Sequence, residues 1–171
     1  MAIIRLIHKI SDILFKIGEY LSMIMVAAMV IITDAQIICR VFFTALTWSE
    51  EATRYLLVWS TFIGASCVYK MAGHISVTVI QDLFPEKVKK WLKLLVHVLC
   101  GIFFVLMVIY GFKYCGKMSA QTSPAMKLPM NYMYASIAVG GVLLTVHCLD
   151  AILQSLFAEE EKELSEGETA Q

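Results

Sequence analysis

Apolar residues along this chain come in four long blocks, at 17–43, 52–71, 88–114 and 129–157, separated by short polar stretches. A block of about 20 apolar residues matches the roughly 30 Å hydrocarbon core of a bilayer. No water is available there to bond the backbone, and four strands cannot close a barrel, so each block must be a helix. The pattern predicts an all-α integral membrane protein of four transmembrane helices. The first and third blocks exceed a simple crossing, which predicts tilt or short interfacial helical segments. Residues 1–16 read as an amphipathic N-terminal segment, and residues 158–171 as an acidic tail that is solvated and frayed past its first turn or two.

The joints carry local signals. Ser49 stands where a helix N-cap is needed, with Glu50 and Glu51 near the positive end of the helix dipole. Pro85 and Pro129 are placed to open the third and fourth helices in their first turns. Glu50 and Arg54 are four apart and share a helix face, as do Trp48, Ala52, Tyr55 and Trp59, so this segment suits a charge-paired, aromatic anchor at the membrane boundary.

Composition supports the membrane reading and narrows the rest. The chain is 59% hydrophobic and 16% charged, with a mean hydropathy of +0.73, too little charge for a soluble domain's surface. Its formal net charge of +0 suggests no nucleic-acid partner. Arg5, Lys9 and Lys16 precede the first block like the basic end of a signal peptide, but the block runs on to Phe43 with no small-residue cleavage site, so it reads as an uncleaved span. Lys and Arg divide nine against five between the two sets of loops and ends, which places both chain ends in the cytoplasm. The 5 cysteines form no CxxC pair and read as small apolar filler.

The most specific stretch runs from Arg40 to Pro85. It contains Arg40-Val41-Phe42-Phe43, Trp48-Ser49-Glu50-Glu51, Arg54-Tyr55, Trp59, Gly64-Ala65, Gly73-His74-Ile75-Ser76-Val77 and Leu83-Phe84-Pro85. Gln121-Thr122-Ser123-Pro124-Ala125-Met126 with Leu128-Pro129 follows before the last block. In order and spacing these segments resemble the small membrane subunit of tripartite ATP-independent periplasmic (TRAP) transporters, the DctQ-like family. One departure is Thr78, where that family usually has an acidic residue. The resemblance implies a scaffold subunit in a bacterial inner membrane. Such a subunit binds a large elevator-type permease, works with a periplasmic substrate-binding protein, and supports sodium-driven uptake of an organic acid such as a C4-dicarboxylate or sialic acid. It implies no cofactor and no catalytic residue. It points to Arg40, Trp48, Glu50, Glu51, Arg54, Tyr55, Trp59, Gly64 and His74 as partner or membrane-interface candidates.

Other polar residues carry rival readings. Asp34 lies within the first block, where an ionisable group is a functional candidate by default; it suits an interface or, alternatively, a self-sufficient proton-coupled transporter. His97 and His147 fall at similar depth on the third and fourth blocks, where a polar interhelical contact competes with ligation of a b-type haem. His74 is expected in a cytoplasmic loop, and Lys87, Lys89, Lys90 and Lys93 beside it can touch anionic phospholipid headgroups. Ser60 with Gly64, and Ser136 with Gly140, are small-residue pairs that let helices approach. No phosphate-cradling glycine loop, zinc-protease HExxH or nucleophile elbow appears, which argues against an enzyme.

Overall fold

A computed structural model describes the backbone of residues 2–81 and 86–169, and the side chains of residues 6–71, 91 and 94–154. Over these residues the protein is helical, with four long elements: α1 (Ala2–Phe42), α2 (Ser49–Gln81), α3 (Glu86–Lys117) and α4 (Asn131–Thr169). A single 3-10 turn, Met118–Ala120, follows α3, and one isolated antiparallel bridge joins Thr122 to Pro129. Three stretches are long and apolar enough to cross a membrane: Leu6–Phe42, Leu94–Ala120 and Asn131–Gln154.

The helices outrun the apolar blocks. α1 begins at Ala2, so the N-terminal segment and the first block form one rod. α2 continues to Gln81, so Gly73-His74-Ile75-Ser76-Val77 is helical where a loop was expected. No proline interrupts it, and a lone glycine costs a helix only about 1 kcal/mol. α4 likewise runs through the acidic stretch to Thr169 instead of fraying. Glu, Lys and Leu are good helix formers, and extending an existing helix needs no new nucleus. Leu83, Phe84 and Pro85, with the side chains of His74, Lys87, Lys89, Lys90 and Lys93, lie outside the described residues.

The helices pack as a slab in the order α1–α2–α4–α3, with α1 also touching the far end of α4. α2 and α4 are therefore the inner helices, and the core of Phe104 from α3 with Leu144 and Cys148 from α4 is flanked by Tyr69, Cys100, Met107 and Ile152. None of the most apolar window of α1 is buried, against 44% of that of α4, so α1 and α3 form open edges.

Small residues set the inner spacing. A Cβ on Gly111 of α3 would stand 2.9 Å from the N and Cα of Ala138 on α4, and one on Gly140 of α4 would stand 2.7 Å from Cβ of Phe62 on α2. The Ser136–Gly140 pair thus marks a real seam: Ser136 is buried and returns its hydroxyl to the Met133 carbonyl at 2.6 Å. Gly64 faces Ser22 of α1 with ordinary clearance. Because Gly111 meets backbone, which cannot swing away, Gly111→Ala should destabilise the chain by about 1–3 kcal/mol. Gly116 meets nothing, so Gly116→Ala should be neutral or stabilising. Unfolding curves of the two variants in the same detergent check this ordering.

Candidate functional site

Arg40, Trp48, Glu50, Glu51, Arg54, Tyr55 and Trp59 gather at the end of the slab where α1 passes to α2 and α3 to α4, while Gly64 and His74 lie further along α2. Ser49 does not cap α2 with its side chain. It is fully buried and donates its hydroxyl back to the Leu46 carbonyl at 2.7 Å, closing the linking turn, while Ala52 N–H bonds the Trp48 carbonyl at 3.0 Å. Glu50 receives Gln36 Nε2 of α1 at 3.4 Å rather than pairing with Arg54. Arg54, Arg40 and Trp48 are exposed, and Arg40 lies in the last turn of α1, where a cation complements the dipole.

Glu51, Tyr55 and Trp59 are spaced four apart and form one gripping stripe along α2. Both carboxylate oxygens of Glu51 are used: Oε1 accepts from Ala125 N–H at 2.9 Å and Oε2 from Met126 N–H at 2.8 Å. Tyr55 donates its hydroxyl to Met130 Sδ at 3.5 Å, and Trp59 donates its indole N–H to the Tyr132 carbonyl at 3.0 Å. The held segment is a small turn closed by Ser123 N–H to the Leu128 carbonyl and Met130 N–H to the Gln121 carbonyl, each at 2.8 Å. Lys127 supplies its left-handed residue at φ 57°. The backbone N–H groups of Ala125 and Met126 hold the Glu51 carboxyl below its ordinary value of 4.5.

A second polar constellation occupies the opposite end, joining three helices. His8 of α1 stands 3.2 Å by Nδ1 from Asp150 of α4 and 3.4 Å by Nε2 from Asp12. Lys70 of α2 pairs with Asp12 and lies over the Phe15 ring. Gln154 donates to Asp150 at 3.1 Å. Asp150 itself is only 3% exposed. Nearby, Ser11 Oγ and His147 Nδ1 share a hydrogen bond of 2.8 Å, and Tyr69 and His97 share one of 3.0 Å.

The two histidines therefore turn to different helices, His147 to α1 and His97 to α2. Each makes a polar interhelical contact through its Nδ1. No group of three or more His, Cys, Asp or Glu side chains able to hold a metal forms among the described residues. Asp34 is exposed and belongs to neither constellation. The sequence reading missed His8, Asp12, Lys70 and Asp150. Their signal was periodicity: His8, Ser11 and Asp12 on α1, and His147, Asp150 and Gln154 on α4, each fall at three- and four-residue spacing.

Each constellation can be tested, with Asp34 outside both as the contrast. Because the Glu51 pKa is lowered by folding, its contribution is full above the unfolded value near 4.5 and is lost as pH falls through the lower folded value. Hydrogen-exchange protection of the Ala125 and Met126 amides should accordingly fall in acid, and Glu51→Gln should reproduce that loss at neutral pH. At the other end, Asp150→Ala should cost about 1–3 kcal/mol by stranding its partners. Asp34→Ala should change the unfolding of the isolated chain by less than about 0.5 kcal/mol.

Comparison with known proteins gives the family of the chain. Residues 29–158 match the family described as tripartite ATP-independent periplasmic transporters, DctQ component. The sialic acid TRAP transporter permease protein SiaT of Haemophilus influenzae is 26% identical over 137 residues, covering 80% of this chain and 22% of that protein. The C4-dicarboxylate TRAP transporter small permease protein DctQ of Vibrio cholerae is 30% identical over 100 residues, 58% of this chain and 43% of that one. The sialic acid TRAP transporter small permease protein SiaQ of Vibrio cholerae is 23% identical over 150 residues, 87% and 85% of the two chains. The chain spans less than half the length of the first two relatives and most of the third. With a family match across most of its helical slab, this chain belongs to the DctQ family of TRAP transporter components.

Proposed function

We propose that this chain is the static small subunit of a TRAP transporter in a bacterial inner membrane. It binds a larger permease and supports sodium-driven uptake of an organic acid delivered by a periplasmic binding protein. The observation that carries the scaffold role is the close seating of the slab's inner seams, Gly111 against the Ala138 backbone and Gly140 against the root of the Phe62 side chain. Helices seated this closely at those points resist sliding past one another. Sialic acid and C4-dicarboxylates are the candidate solutes, from the printed names of the relatives.

In this reading α2 crosses the membrane with the other three. Its contacts with α1 run from Gln36–Glu50 to Asp12–Lys70, which is about 36 Å along α1 at 1.5 Å per residue. His8 of α1 meets Asp150 of α4, so the start of α1 and the last part of α4 share one end of the slab. The distribution of Lys and Arg makes that end cytoplasmic. The clamped turn at 121–130 and the Trp48–Trp59 segment then stand at the periplasmic boundary.

Reconstitution in proteoliposomes with an inward sodium gradient tests the proposal. The chain alone should take up no solute. With its large permease and binding protein it should accumulate sialic acid or a C4-dicarboxylate. Sodium-driven uptake by the chain alone would overturn the scaffold reading.

A further inference from the structure

The outer face of α1 is left uncovered by every contact among the described residues. Ile10, Ile17, Ile24, Ile31 and Ile38 recur every seven residues, and all five are exposed, Ile24 and Ile31 at 64% and 67%. α2 takes the other side of the helix, through Phe15, Gly18 and Gln36. A seven-residue repeat of β-branched side chains keeps one seam turned toward a long partner helix. Lipid asks only for apolarity, with no period.

Asp34 makes lipid an unsuitable cover for this face. It is exposed, one turn from Ile31, and forms no hydrogen bond or ion pair with any described residue. Glu19 and Asp34 bracket the uncharged run of α1 and lie about 22 Å apart at 1.5 Å per residue. A hydrocarbon core of about 30 Å must therefore take in at least one of them. Lys16, one turn before Glu19, fixes that end at the headgroups. Counting about 20 residues from Lys16 puts the far edge between Gln36 and Arg40, with Asp34 inside it. At about 27 Å from Lys16, Asp34 lies just inside that edge, where a cation or a hydrogen-bond donor beside the carboxylate relieves the cost of its burial.

The other open edge makes no such demand. From Leu94 to Phe112, α3 carries no acidic or basic side chain except the buried His97, so lipid suffices there.

We infer that the free face of α1, the isoleucine stripe with Asp34 beside it, docks a membrane-spanning helix of the larger permease that brings a Lys, Arg or neutral hydrogen-bond donor to Asp34. This rests on the small-subunit reading above. The occupant follows from the unmet charge and from SiaT, in which a stretch similar to this chain makes up 22% of one longer permease polypeptide.

The test is photo-cross-linking in the complete transporter, in its native membrane, with a photoreactive residue at Ile24 or Ile31 on α1 and at Leu99 or Phe103 on α3. The α1 positions should yield adducts with the large permease about tenfold more efficiently than the α3 positions. Asp34→Lys should cut co-purified permease about tenfold, while Asp34→Asn, which can still hydrogen-bond, keeps most of it. Adducts from α3 alone would overturn the docking face and leave the small-subunit reading standing. Adducts between two copies of this chain from the α1 positions would replace the permease by self-association. Failure of every position to cross-link, with no permease co-purified by the unmodified chain, would overturn both. An Asp34→Lys chain with unchanged unfolding and full permease recovery would remove Asp34 from the interface.

Discussion

The architecture depends on how closely α4 meets its two neighbours. Glycine at 111 brings α3 onto the Ala138 backbone, and glycine at 140 lets Phe62 of α2 lie where a side chain would otherwise stand. In a bilayer there is little hydrophobic gain from bringing apolar helices together, so close van der Waals contact and interhelical hydrogen bonds must hold them. With α4 engaged on both sides, α1 and α3 fall to the outside. The protein becomes a slab with two open edges rather than a bundle closed around a centre.

Polar contacts then fasten the slab at its two ends. At one, Glu51, Tyr55 and Trp59 grip the turn that leads into α4, so the entry of that helix is fixed to α2. At the other, His8, Asp12, Lys70 and Asp150 tie the start of α1 to α2 and α4. Neutral hydroxyls along the seams bond carbonyls of their own helices, as at Ser60, Ser66 and Thr145, and leave few unmet groups facing the apolar interior. Packing in the middle and hydrogen bonds at the ends suit the static role proposed above.

Much of this was legible in the sequence, because bilayer thickness constrains where helices can be. Helices at all four apolar blocks, three of them long and apolar enough to cross a membrane, read directly, as did the short joints and the set of motifs from Arg40 to Pro129. The parts that did not read were contacts between distant residues. Nothing local says that Glu51 receives two N–H groups from Ala125 and Met126, or that Gln36 rather than Arg54 meets Glu50. The His8–Asp150 pairing joins residues near opposite ends of the chain and emerges only once α1 and α4 are side by side. Asp34 drew attention because it interrupts an apolar run. Asp150 lies in just such a run, and it is the one the fold buries. The loop expected around His74 failed for a simpler reason: a falling apolar content marks the edge of a membrane, and a helix can continue past it.

The central claim is that this body is rigid during transport. Its most direct test is the distance between spin labels carried on unnatural residues at Val68 of α2 and Phe103 of α3, two exposed positions on the helices packed against α4. The measurement is made in the assembled transporter, before and after sodium and solute are added. A rigid scaffold predicts one distance distribution whose peak stays put through the cycle. A shift of about 5 Å or more, the scale of one helix ratcheting a turn past another, would contradict it.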